Sequence, residues 1–154
     1  MTSTARASAI NVHFAGLGDA AAMATLHAAC FARSWDAASM ARFLGTPGCL
    51  SLLAAMARGE PAQGLLIARP AGDEAELLTL AVHPVYRRLG LARVLLGAAM
   101  VALRASGAKQ LFLEVEEANA PARALYESLG AVAVGRRPGY YGHSADAVIF
   151  SLAL

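Results

Sequence analysis

Cysteine is almost missing from this sequence: Cys30 and Cys49 are its two thiols. They lack the spacing of a metal clamp or a redox pair, and no further Cys completes a ligand set. That excludes a disulfide framework and a cysteine-based zinc site, leaving buried free thiols in a reducing compartment as the expectation. His13, His27, His83 and His143 show no ligand spacing either, so no metal is expected. Lysine is scarce, and the arginines are scattered except at Arg87-Arg88 and Arg136-Arg137. A net charge of only +2, with no dense basic run, argues against a nucleic-acid binder working through a broad phosphate footprint. Long apolar runs are lacking too. The longest, Leu91 to Leu103, is interrupted by Arg93 and is too short to span a bilayer. Met1 to Ala9 has no basic segment followed by an apolar one, so no secretory signal and no membrane partner is expected, and the location expected is cytoplasmic.

What is present is apolar residue, 57% of the chain, much of it alanine. At 154 residues this reads as one domain over 1–154, large enough to bury a core without staples. Ala9 to Phe14 alternates as a first strand, ended by Gly16 and Gly18. Asp19 is placed to cap a helix from Ala20 to about Phe31, with Met23, Leu26 and Cys30 inward. His27 on that helix reads as a solvated or internally satisfied histidine. Asp36 is placed to cap a second helix carrying Met40, Phe43 and Leu44, stopped by Pro47-Gly48. Cys49 to Ala57 and Ala62 to Ala68 read as a hairpin, Pro70 to Asp73 as a turn, and Glu74 to Val82 as the next strand, closed by His83-Pro84.

The segment from Gly90 to Ser106 spaces Leu91, Leu95, Ala98, Ala102 and Leu103 for one helix face, and Gly107 is placed to end it. Gln110 to Glu116 then alternates: Leu111, Leu113 and Val115 on one face, Phe112, Glu114 and Glu116 on the other. Asn119 with Pro121 starts a short helix through Leu129; Gly130 stops it, and strands from Ala131 and Ala147 finish the chain. Hairpins and crossovers together imply a mixed α/β (α+β) fold, a mixed sheet covered by helices. Between strand and helix, Arg87-Arg88-Leu89-Gly90-Leu91-Ala92 makes a turn whose unpaired N–H groups, helix dipole and arginines suit a pyrophosphate.

This loop, with Leu113-Glu114-Val115, Asn119 and Leu125-Tyr126-Glu127-Ser128-Leu129-Gly130, resembles the acyl-CoA site of the GCN5-related N-acetyltransferase (GNAT) superfamily. Adding Leu80 to Pro84 and Tyr140-Tyr141, the ordered set is similar to the RimI-type branch, which acetylates the N-terminal amine of a ribosomal protein; the match runs from Leu77 to Tyr141. The resemblance implies a strongly twisted sheet of about six or seven strands with about four helices, its two central parallel strands splayed around pantetheine. It implies acetyl-CoA as cosubstrate and a protein N-terminus as acceptor. Glu114 is the implied general base, with Glu116 and Glu117 as rivals, and Tyr126 the implied general acid. Cofactor contacts fall on Leu80, Ala81, Val82, Arg88, Leu89, Gly90, Leu91, Ala92, Arg93 and Asn119, and acceptor contacts on Trp35, Tyr140 and Tyr141. Plainer readings stand beside these: Trp35 as core, Tyr126 as packing, Asn119 as a helix cap. Ala131 departs from the aromatic relatives usually carry, and Pro138-Gly139 and Ala145-Asp146 depart around Tyr140-Tyr141. Two other functions fit the same site: acetylation of a small amine, antibiotic or lysine, and a non-catalytic acyl-CoA sensor.

Overall fold

The computed structural model describes residues 9–139 and 146–154. Strands β1 (Asn11–Phe14), β2 (Leu50–Ala55), β3 (Gly64–Ala71) and β4 (Glu74–Val82) pair antiparallel in that order. Beyond them lie β5 (Gln110–Glu116), β7 (Ala147–Ala153) and β6 (Val132–Arg137), giving the sheet order β1-β2-β3-β4-β5-β7-β6. Helices α1 (Ala20–Cys30) and α2 (Ala37–Gly45) join β1 to β2; α3 (Leu91–Ala105) and α4 (Ala120–Ser128) bracket β5.

Every residue of β2 is buried, because the sheet is covered on both faces there. On one face Leu52, Ala54 and Leu66 meet Leu91, Leu95, Leu96, Ala99 and Leu103 of α3. On the other, Leu53, Leu65, Ile67 and Ala81 meet Met23, Leu26 and Met40 of α1 and α2. The expected stripe of α3 is thus corrected by part of a turn: Leu96 and Ala99 are buried, whereas Ala98 and Ala102 are only partly so. Gly64 lets α3 come close, since a Cβ there would stand 3.0 Å from Leu95 Cδ1.

The helix ends follow the expected chemistry with one exception. Asp36 Oδ1 accepts from the Ser39 amide and Asn119 Oδ1 from the Ala122 amide, at 2.8 and 3.2 Å. Asp19 does not cap α1 with its side chain; its carboxylate accepts from the Gly16 amide and closes the short turn Leu17–Asp19 instead. The α3 and α4 C-termini finish alike. Gly107 and Gly130 take positive φ, and the amides of Ala108 and Ala131 return to the carbonyls of Leu103 and Tyr126. The expected turn at Pro70 to Asp73 is tighter than the composition suggests, because β3 continues through Ala71 and pairs with β4 up to Ala71 opposite Glu74.

Two irregularities shape the centre of the sheet. β4 and β5 are parallel and pair at Glu74–Gln110, Ala75–Leu111 and Glu76–Phe112 only, so the remainder of both strands diverges. β4 also carries a bulge: Ala68 pairs with Leu77 and Ile67 with Thr79, leaving Leu78 extra. The extra residue turns Leu78 and Thr79 toward α1, while Leu77 and Leu80 pack with the α3 side.

Candidate active site

The slot opened by that divergence is flanked by Leu80, Ala81 and Val82 of β4, none of which has a ladder partner on β5. Just past β4, a turn at Pro84–Tyr86 leads into the loop that precedes α3. Arg88 has φ 64° and Gly90 φ 92°; Arg88 is the one non-glycine with positive φ among the described residues. A non-glycine held there costs about 1–2 kcal/mol, a strain typical of sites where backbone must face a ligand. Gly90 is the N-cap of α3 and no side chain caps the helix, so the first amides of Leu91, Ala92 and Arg93 face outward with the positive end of the helix dipole. Arg88, Leu89 and Gly90 are exposed beside it. Arg87 Nε donates to the Val82 carbonyl and Arg93 to Ser128 Oγ, so these two arginines tie the loop to β4 and α3 to α4.

Glu114 of β5 and Tyr126 of α4 lie on opposite faces of β5. Leu111, Leu113 and Val115 face α3, with Tyr126 buried beside them and its ring edge-on to Phe150 at 6.0 Å. Glu114 projects from the other face with Phe112, and its Oε1 accepts from Arg137 of β6 at 3.1 Å. Phe112, Glu114 and Arg137 line a cavity of about 440 Å³ with Arg69, Glu74, Glu76 and Ile149. Of the rival carboxylates, Glu116 is exposed and Glu117 is paired with Arg136, which also reaches Asp146. Asn119 uses Oδ1 as the α4 cap, leaving its amide nitrogen outside that bond. Ala131 is buried and hydrogen-bonded to Tyr126, so the missing aromatic leaves the end of α4 closed.

Trp35 sits on the Glu114 face but not as an open wall. Its ring is partly buried, stacked on His27 at 4.9 Å and tilted against Phe43 at 4.9 Å. Tyr140, Tyr141 and His143 lie outside the described residues. Sequence reading missed Arg137, Thr79 and the part played by His27; only the opposite charge of Arg137 and Glu114 hinted at the first. No three His, Cys, Asp or Glu side chains gather as a metal site among the described residues, and no described helix is long and apolar enough to cross a membrane.

Residues 20–131 match the model of the acetyltransferase (GNAT) family. The ribosomal protein bS18-alanine N-acetyltransferase of Salmonella typhimurium is 44% identical over 86 residues, 53% of this chain and 57% of that protein. The chain therefore spans little more than half the length of the curated relatives it matches. The crystal structure of the ribosomal-protein-S18-alanine N-acetyltransferase from Escherichia coli superposes with TM-score 0.85 at 30% identity, covering 94% of each chain. Arabidopsis thaliana NAA60 in complex with acetyl-CoA has the same fold, TM-score 0.82 at 19% identity over 95% of this chain and 99% of that one. With nearly three quarters of its length under the family model, this chain belongs to the acetyltransferase (GNAT) family.

Proposed function

We propose that this chain transfers the acetyl group of acetyl-CoA to the N-terminal α-amine of a protein, in the first instance a ribosomal protein. The observation that carries the reading is the slot between β4 and β5, with outward amides at the start of α3 beside it and Glu114 and Tyr126 on opposite faces of β5. The 94% overlap with the ribosomal-protein-S18-alanine N-acetyltransferase of Escherichia coli supports the choice of acceptor.

Acetyl-CoA supplies the activated acyl group, and the chain's residues do the rest. The outward amides of Leu91 to Arg93, with Arg88, hold the diphosphate, while Leu80 to Val82 and Asn119 align the pantetheine arm. Glu114 takes a proton from the attacking amine as the C–N bond forms. Tyr126 gives one from its phenol to the sulfur as the C–S bond breaks. An α-amine has a reference pKa near ~8 against ~10.4 for lysine, so its deprotonation is easier by roughly 3 kcal/mol. One carboxylate suffices for that task.

The test pairs a peptide beginning with alanine against a lysine peptide and a small-amine panel, with thiol release and product mass as readouts. Acetylation confined to the α-amine is expected. Preference for lysine or small amines would replace the acceptor, and acetyl-CoA binding with no turnover on any amine would replace the enzyme with a sensor.

A further inference from the structure

His27 is nearly solvent-free, and both its ring nitrogens are engaged. The Trp35 amide donates to Nδ1 at 3.1 Å. A nitrogen that accepts carries no proton, so the proton of the neutral ring sits on Nε2 and is donated to Thr79 Oγ1, also at 3.1 Å. Trp35 stacks on the ring at 4.9 Å and Phe31 lies tilted against it at 4.5 Å. One side chain of α1 thereby joins the α1–α2 connection to β4, at the residue before Leu80, Ala81 and Val82. The β4 bulge is what points Thr79 at it. Ala81, α1 and α2 occupy the face from which Glu114 projects, so the connection stands across the slot from that carboxylate.

We propose that His27, as its Nε2–H tautomer, is a positioning residue that pins the α1–α2 connection to β4 and so fixes the acceptor-side wall relative to the slot. This deepens the acyl-transfer reading and rests on it for its kinetic consequence, though not for its geometry. A second proton on Nδ1 would aim an N–H at the Trp35 N–H and release the connection. Among the described residues, Nδ1 meets the Trp35 N–H and no acceptor. Phe31, just past α1, and Trp35 contact the ring, and the buried apolar side chains of the same face are Met23 and Leu26 of α1, Met40 of α2, Leu65 and Ile67 of β3 and Ala81 of β4. The neighbouring titratable side chains are bound elsewhere, Cys30 to the Val82 carbonyl and Asp36 to the Ser39 amide. Burial alone holds His27 below the ordinary histidine value.

Trp35 is the chain's single tryptophan, so its fluorescence reads the pin directly. Titration of the intact protein should show one transition with a midpoint below about 6.5, absent in His27→Asn and His27→Gln. Kinetics then separate the two halves of the pin. His27→Gln keeps a donor for Thr79 but loses the acceptor for Trp35, and should raise the acceptor KM about three- to tenfold with the acetyl-CoA KM unmoved. His27→Asn keeps an acceptor where Nδ1 was and should recover most of that loss, while Thr79→Val loosens the β4 end. Flat Trp35 fluorescence in an active enzyme, or a transition that persists in His27→Asn, overturns the pin. A normal Trp35 transition in a protein that acetylates nothing overturns the acyl-transfer reading instead.

Discussion

The two sides of the slot are built by different means. On the side proposed for the cofactor the work falls to backbone: positive φ at Arg88 and Gly90, outward amides at the start of α3, and strand residues of β4 without partners on β5. On the side proposed for the acceptor it falls to side chains from distant segments, Arg137 on Glu114 and His27 between Trp35 and Thr79. A diphosphate is always the same shape and charge, so contiguous backbone can be fixed around it. An acceptor differs from one enzyme to another, and side chains brought from several elements can change one at a time.

That contrast can be broken by substitution. The largest effect is expected for Glu114→Gln, which should lower kcat by about 10²- to 10⁴-fold while acetyl-CoA binding stays as it was; calorimetry beside steady-state kinetics checks both halves. Gly90→Ala should do the reverse. Holding a β-carbon at φ 92° costs about 1–2 kcal/mol, which would weaken acetyl-CoA roughly five- to thirtyfold and leave the acceptor KM alone. Asn119→Ala removes the α4 cap and should cost about 1 kcal/mol, a drop in Tm of roughly 2–4 °C by calorimetric scan.

The smallest effect is on stability against pH. Burial lowers the folded-state pKa of His27, so on acidification the unfolded chain takes up this proton first. Its contribution is fully present above about 6.5 and declines as pH falls from there toward the folded value, where the loss levels off. Urea midpoints measured between pH 7 and 5 should therefore decline more in the parent protein than in His27→Asn.

The local backbone signals were the legible ones. Gly90, Gly107, Gly130, Asp36 and Asn119 are local signals, each acting on backbone within a few residues, and the structure uses each as its chemistry suggests. The alternation of β5 likewise placed Leu111 and Glu114 on opposite faces. Asp19 misled because a carboxylate before a helix can serve either the helix or the turn ahead of it, and Gly16 took it. Trp35 and His27 were read separately because nothing in a linear pattern says that a ring nitrogen will meet an amide in the next connection and a hydroxyl on β4. The Arg137 contact depends on β6 lying beyond β7, and the Thr79 contact on a one-residue bulge, neither of which has a composition signature.

Calorimetric titration with acetyl-CoA and with acetyl-pantetheine, which lacks the diphosphate, is the most direct measurement of the grip at the start of α3. Saturable one-to-one binding of acetyl-CoA, with the truncated thioester far weaker, is the predicted result. Equal affinity for the two, or no association with either, would contradict it.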